Sequence, residues 1–388
     1  MTEETKKTSL AASLDLKQYG ILLALVFLVI AFTLVYYFKE GSLTFFSPEN
    51  LSNIVGQVMV VGILAVGMTL VILIGEIDLG VGSVVAITGV SACLMIRQGL
   101  PVAAAVPATL LLGTLIGCWN GYWIARFRIH SFIVTLGMLV IGRGLAQIVS
   151  GRQNVSPNYD PFTDFFFTYV PKVPSAILIL GAYALWVILD LRGAARRKKY
   201  GFPAPPAALE IAKLVAGFLL FAFVGWVFCG AYGLPAPFLI WLAVVLAGVF
   251  LLDHTTFGRY VYAIGGNAEA AHLSGINVPR IKGLVFVISG LLAAAAGILA
   301  ASREGGATPG NIGKLNELDA IASVVIGGTS LLGGIGHIKG TIVGLFLLAV
   351  LANGMSILGI PQDWQEVIKG LIIIFAAWFD VKTKARKR

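Results

Sequence analysis

The sequence predicts an all-α integral membrane protein, a polytopic helical bundle of about 12 segments, on three observations. Of its 388 residues, 58% are hydrophobic and 12% charged, with a mean hydropathy of +0.90. A soluble fold has too little interior to keep that much apolar surface from water. The apolar residues also fall in runs near the roughly 20-residue length of a helix that crosses the hydrocarbon core. Finally, the net charge of +9 gathers between alternate runs, as expected where basic loops stay on the cytoplasmic side.

Residues 1–18 read as an N-terminal tail. The run at 19–38 follows without a small-residue cleavage site, so it is expected to remain as a first span. Further runs lie at 51–75, 81–97, 101–125, 131–150, 175–191, 209–230, 236–252, 283–302, 319–335, 341–359 and 364–380, before a basic tail at 381–388. With both termini inside, 19 Lys and Arg residues fall in cytoplasmic stretches, among them Lys6, Lys7, Arg126, Arg128, Arg192, Arg196–Lys199 and Arg280. Only 6 fall outside: Lys39, Arg97, Arg152, Lys172, Arg303 and Lys314. The basic composition is thereby explained without nucleic acid. Residues 254–282 become the largest cytoplasmic connection, and 151–174 the notable external one. Cys93, Cys118 and Cys229 all lie in apolar runs without metal-ligand spacing, and read as small apolar fillers.

The chain echoes itself. "EIDLGVGSVV" from Glu76 is answered by "ELDAIASVV" from Glu317, and "GTLIG" at 113–117 by "GTIVG" at 340–344. Asn120-Gly121 and Asn353-Gly354 follow the latter pair. In this layout 101–125 runs inward and 341–359 outward, so the repeats are inverted, an arrangement associated with transporters.

Polar residues inside such a chain are functional candidates, because an uncompensated charge at membrane depth is costly. Glu76 and Asp78 sit in a glycine-rich break between apolar runs. The favoured reading makes Asp78 the N-cap of the following helix, and a place on a solute path is the other; Glu317 and Asp319 carry the same choice. Tyr122 and Trp123 read as part of an interfacial aromatic belt, whereas Asn120 lies deeper and either faces an aqueous path or bonds a neighbouring helix. Arg143 shares a helix face with Gln147. It bonds backbone carbonyls or Glu76 and Asp78, or else lines a path. Asn353 completes the path candidates. "GGIGHIKGT" lacks the Gly-Lys-Ser/Thr of a phosphate loop, and the serines and histidines form no nucleophile–base arrangement. No catalytic residue and no metal site is expected.

The stretch "GGNAEAAHLSGINVPRIKG" at 265–283 is the polar exception among greasy runs. Asn267 is a favourable N-cap, Ala268–Ser274 are mostly good helix formers, and Gly275 can close the helix in a left-handed conformation. Glu269 near its start and His272 near its end suit the helix dipole. So short a helix is marginal alone and needs something to pack on. Its small face, with Ala270 and Ala271, suits a groove on a soluble partner. Gly265 and Gly266 supply a sharp approach to the helix, and Pro279 limits its continuation.

"EIDLGVGS", "WNGYWIA", "SFIVTLGML…GRG", "GRYVYAIGGNAEAAHLSGIN", "ELDAIASVVIGGTSLLGG" and "NGMSILGI" together resemble the membrane permease subunit of ATP-binding-cassette sugar importers of the ribose/xylose/galactose group, over about residues 50–380. The resemblance implies a ten-helix core with an inverted repeat. The insertion at about 174–233, with two further apolar segments and "RGAARRKKYG", is similar to one in the xylose and multiple-monosaccharide permeases. A bacterial inner-membrane location, a permease homodimer, a cytoplasmic ATPase subunit that holds ATP and Mg, and a periplasmic sugar-binding protein are implied. The sugar is expected to be a pentose, D-xylose foremost, and this chain to be no enzyme and to bind no cofactor itself. By the same resemblance, Gly265, Gly266, Asn267, Glu269, Ala270, Ala271, Leu273, Ser274, Gly275 and Arg280 belong to the element that couples to the ATPase. The rival is a proton-coupled secondary transporter working as a single chain.

Overall fold

The computed structural model describes residues 16–201 and 206–385. Most of the predicted N-terminal tail and the last residues of the C-terminal tail lie outside them. Among the described residues, nine helices are long and apolar enough to cross a membrane. In chain order the helices are α1 (Leu16–Glu40), α2 (Pro48–Leu73), α3 (Val81–Arg97), α4 (Val102–Phe127), α5 (Ser131–Val149), α6 (Lys172–Lys199) and α7 (Ala207–Gly230). They continue with α8 (Ala236–His254), α9 (Thr256–Gly266), α10 (Ala268–Leu273), α11 (Val278–Arg303), α12 (Asn316–Ile326), α13 (Ile338–Ile357) and α14 (Gln362–Ala385). The fold is all-α apart from a two-residue strand pair, Tyr169–Val170 with Leu234–Pro235.

Their starts follow local chemistry. Ser47 accepts a hydrogen bond from the Asn50 N–H ahead of α2, and Asn277 accepts one from Arg280 ahead of α11, each with proline in the first turn. Helices α2, α3, α11 and α13 are largely buried and form the centre. Around them, α1, α4, α5, α6, α7 and α8 turn large apolar side chains outward, among them Phe27, Leu111, Ile148, Ile177, Leu219 and Phe250. Such a coat is stable only in lipid.

Small residues bring the central helices together. Gly113, Gly117 and Gly121, one helical turn apart on α4, lie against backbone of α11 at Gly290, Phe286 and Gly283. On α13, Gly340 and Gly344 do the same against the end of α12 at Gly327 and Ser323. The echoed "GTLIG" and "GTIVG" are therefore close-packing faces of the small-xxx-small type.

One run and one glycine pair differ from expectation. The segment 319–335 is not one helix: α12 ends at Ile326 and residues 327–337 are irregular. Gly328, Gly333 and Gly334 take positive φ of 92°, 84° and 73°, which a right-handed helix cannot contain. Gly265 and Gly266, expected to supply the sharp approach to the polar helix, belong to the last turn of α9, and the chain leaves the helix at Asn267. The inserted pair α6–α7 is a helical hairpin at the periphery, with Lys213 of α7 paired to Asp190 of α6. A small apolar cluster of Ile179, Val227, Phe228 and Leu234 packs against Leu51 and Val55 of α2.

The connection containing α9 and α10 caps one end of the bundle. The 151–174 segment covers the other. There Val155 and Ala307 exchange backbone hydrogen bonds of 3.0 and 2.9 Å, and Ser302 Oγ donates to the Phe162 carbonyl.

Candidate functional site

Helix α10 forms as its sequence dictates. Asn267 Oδ1 accepts hydrogen bonds from the Glu269 and Ala270 N–H groups at 3.0 and 2.9 Å. Gly275 closes the other end at φ +86°. Ala271 points into the protein and is buried, whereas Glu269, Ala270, His272, Ser274 and Leu273 are exposed, Leu273 at 82%. Of the two alanines only Ala270 is thus open to a partner, and Arg280 stands exposed in the first turn of α11.

The chain on either side of α10 is fastened to breaks in the helical core. On the α9 side, Gly265 lies directly against the Leu73 carbonyl at the end of α2 and against Gly334. The Gly334 N–H donates to that same carbonyl at 2.9 Å, and the Tyr262 hydroxyl donates to the Gly336 carbonyl at 2.8 Å. Burial pushes the Tyr262 pKa up, with Asp253 adding to the effect, so the hydroxyl keeps its proton and remains a donor. On the α11 side, Lys282 pairs with Glu76 in the 74–80 break between α2 and α3. Sequence reasoning assigned Lys282 only to the basic loop. It is the unforeseen partner of Glu76.

The breaks bring the echoed motifs together inside the bundle. Gly82 at the start of α3 lies against the Glu317 carboxylate and the Gly313 carbonyl at the start of α12. Two helices therefore begin within the protein, their first turns in contact, and irregular backbone there is tolerated because it is enclosed. Asp78 and Asp319, two of the carboxylates at the breaks, each have partners. Asp78 is buried, accepting hydrogen bonds from Ser289 Oγ and the Gly80 N–H, both at 2.9 Å. Gly80, not Asp78, holds the N-cap position of α3, so Asp78 braces the cap from two residues upstream. Asp319 is paired with Lys369 of α14 at 2.9 Å. The echoed carboxylates differ in setting: Glu76 and Asp78 precede their helix, whereas Glu317 and Asp319 lie in its first turn.

Arg143 bonds backbone carbonyls, one of the expected alternatives. Its guanidinium donates to Ile312 O at 2.7 Å and Pro309 O at 3.1 Å, holding the 304–315 segment against α5. Gln147 lies one turn further along the same face, half-buried. Asn353 and Asn50 exchange side-chain amide hydrogen bonds of 3.0 and 3.1 Å between α13 and α2. Asn120 is buried on α4 with its carbonyl oxygen lacking a partner. Arg143→Met is expected to destabilise the protein by about 2 kcal/mol, because two carbonyls lose a charged donor in an enclosed setting. The thermal midpoint of the detergent-solubilised protein checks this, and a wild-type midpoint would refute the clamp.

A polytopic helical membrane protein with broken helices meeting at its centre has the architecture of a transport protein. The branched-chain amino acid transport system / permease component family matches residues 50–377. The chain belongs to this family. It is 39% identical to the xylose transport system permease protein XylH of Escherichia coli (strain K12), over 96% of this chain and 94% of that one. With XylH of Haemophilus influenzae the identity is 36%, covering 96% and 98%. With the ribose import permease protein RbsC of Escherichia coli (strain K12) it is 35%, covering 95% and 94%. No solved structure matches.

Proposed function

We propose that this chain is the membrane permease subunit of an ATP-binding-cassette importer for a pentose, D-xylose foremost. The observation that carries the substrate is the end-to-end similarity to permeases named for xylose and ribose, which spans nearly the whole of each chain. The chain forms the sugar's path and does no hydrolysis; ATP and Mg reside on a separate ATPase subunit. Two copies pair in the inner membrane, and a periplasmic binding protein delivers the sugar. The basic asymmetry supports the orientation, with α10 and both termini cytoplasmic and 151–174 external.

In this reading α10 is the coupling helix, and its exposed face enters a groove on the ATPase subunit. When the ATPase pair closes, α10 moves as a small rigid lever. Its fastenings through Gly265 and Lys282 carry that motion to the ends of α2 and α13 and to the break before α3. Asn120, Arg143, Gln147 and Asn353 are assigned to the path or its walls. The chain reconstituted with its ATPase and binding protein is expected to take up D-xylose in an ATP-dependent manner, far faster than leucine or valine. An impermeant thiol reagent should reach a cysteine placed at Tyr159 from outside, and not one at Ala195. ATP-independent, proton-driven uptake by the chain alone would overturn the reading in favour of a secondary transporter.

A further inference from the structure

At the end of the bundle opposite α10, a cavity of about 590 Å³ opens between α2, the 304–315 segment and the start of α14. Its walls carry Gln57, Arg303, Glu304, Asn311, Lys314 and Glu366, and its floor is Gly313, Leu315 and Asn316, where α12 begins. A second hollow of about 200 Å³ shares Gln57 and Arg303 with it and adds Asn53 and the rings of Phe166, Phe167 and Tyr169. The two form one recess.

We propose that this recess is where the permease itself contacts the sugar after release from the binding protein, with Gln57 and Asn311 as its hydrogen-bonding residues. The inference rests on the sugar-importer reading and deepens it: of the path residues named above, Asn353 lines the smaller hollow and Arg143 bonds the segment behind the larger one.

The chemistry of the lining selects the ligand class. Two cations, Arg303 and Lys314, stand with two carboxylates, Glu304 and Glu366, so the recess favours no net ionic charge. Amides both donate and accept, and can therefore meet a hydroxyl presented in either direction. A sugar stripped of water needs such partners, because each unpaired hydroxyl costs about 1–3 kcal/mol. The rings of the smaller hollow offer apolar surface for the C–H face of a pyranose. A branched-chain amino acid, with its greasy side chain, finds little apolar surface in the larger, mostly polar cavity.

Placement agrees with the chemistry. The floor is the broken start of α12, and unwound backbone at membrane depth is stable where it lines a water-filled cavity. Leu315 takes φ +62° there, an uncommon left-handed conformation for a non-glycine residue. The Arg143 bonds to Pro309 and Ile312 hold the same segment in place from behind. A solute in the recess is thus next to the junction of α3 and α12.

The test uses the full transporter, permease with ATPase and binding protein, in proteoliposomes. The readout is D-xylose moved per ATP hydrolysed, per assembled complex. Gln57→Leu and Asn311→Leu each remove a hydrogen-bonding group at the recess wall. Each is expected to lower that ratio about fivefold, the equivalent of one hydrogen bond of about 1 kcal/mol. A purely structural role would lower transport and hydrolysis together, leaving the ratio at its wild-type value, and that result overturns the proposal. Should the leucine variants fail to assemble, Gln57→Glu and Asn311→Asp keep size and polarity and are read by the same ratio. An unchanged ratio in both again overturns it. Failure of the wild-type chain to move xylose or ribose would instead count against the sugar-importer reading itself.

Discussion

Leu273→Asp is expected to abolish sugar uptake while the permease reaches the membrane at wild-type abundance. Leu273 is 82% exposed on a helix whose inward contact is Ala271, so the fold does not depend on it. In the proposed coupling role of α10, this large apolar side chain held outward is the anchor for the ATPase subunit. Burying a leucine contributes about 1.5–3 kcal/mol, and a carboxylate in the same apolar groove is penalised further. Affinity for the ATPase subunit should therefore fall at least about 30-fold, since 1.4 kcal/mol is a factor of ten. Co-purification of the ATPase with the permease measures it directly. Ala270→Trp, on the exposed face, should act the same way by steric overlap. Ala271→Trp is the poorer probe, because the buried position would disturb the permease before any partner arrived. If Leu273→Asp assembles and transports normally, α10 is not the docking element.

Gly265→Ala is expected to cripple the protein, and Gly266→Ala to be tolerated. A β-carbon at Gly265 would overlap the Leu73 carbonyl oxygen and press on the Gly334 N–H, both backbone, so neither can swing aside. Opening that junction costs about 3 kcal/mol. It also breaks the Gly334-to-Leu73 hydrogen bond that holds the 327–337 segment to the end of α2 beside Gly265. At Gly266 an added β-carbon meets open space, and alanine in a helix is favoured over glycine by up to about 1 kcal/mol. The thermal midpoint and the uptake rate of the two variants are the measurements. Equal behaviour of the pair would refute the interlocked junction.

The contrast between these neighbouring glycines marks where reading the chain stops. In the sequence they are a matched pair before a polar helix, and both suggested a sharp approach to it. The structure makes one a contact point and leaves the other open, because only the third dimension brings Leu73 and Gly334 beside Gly265. The same holds for charged and amide groups. Glu76 and Lys282 are 206 residues apart, and Asn50 and Asn353 are 303 apart, so no local pattern pairs them.

Most of the membrane spans were legible from the sequence by itself, because the hydrocarbon core sets one length and one polarity for any helix that crosses it. Helix α10 was legible too, since a cap residue, a few helix formers and a closing glycine act within a few residues of one another. Tertiary structure alone decided that the run at 319–335 breaks after Ile326. The glycines of 327–335, GGTSLLGGI, permit a break without fixing where it falls. Gly340 and Gly344 of α13 press on the end of α12 at Gly327, and the chain then turns through left-handed glycines toward Leu73 and Gly265. Hydropathy records that such a segment is buried, whereas helix or unwound chain is decided by which backbone groups find partners across the bundle.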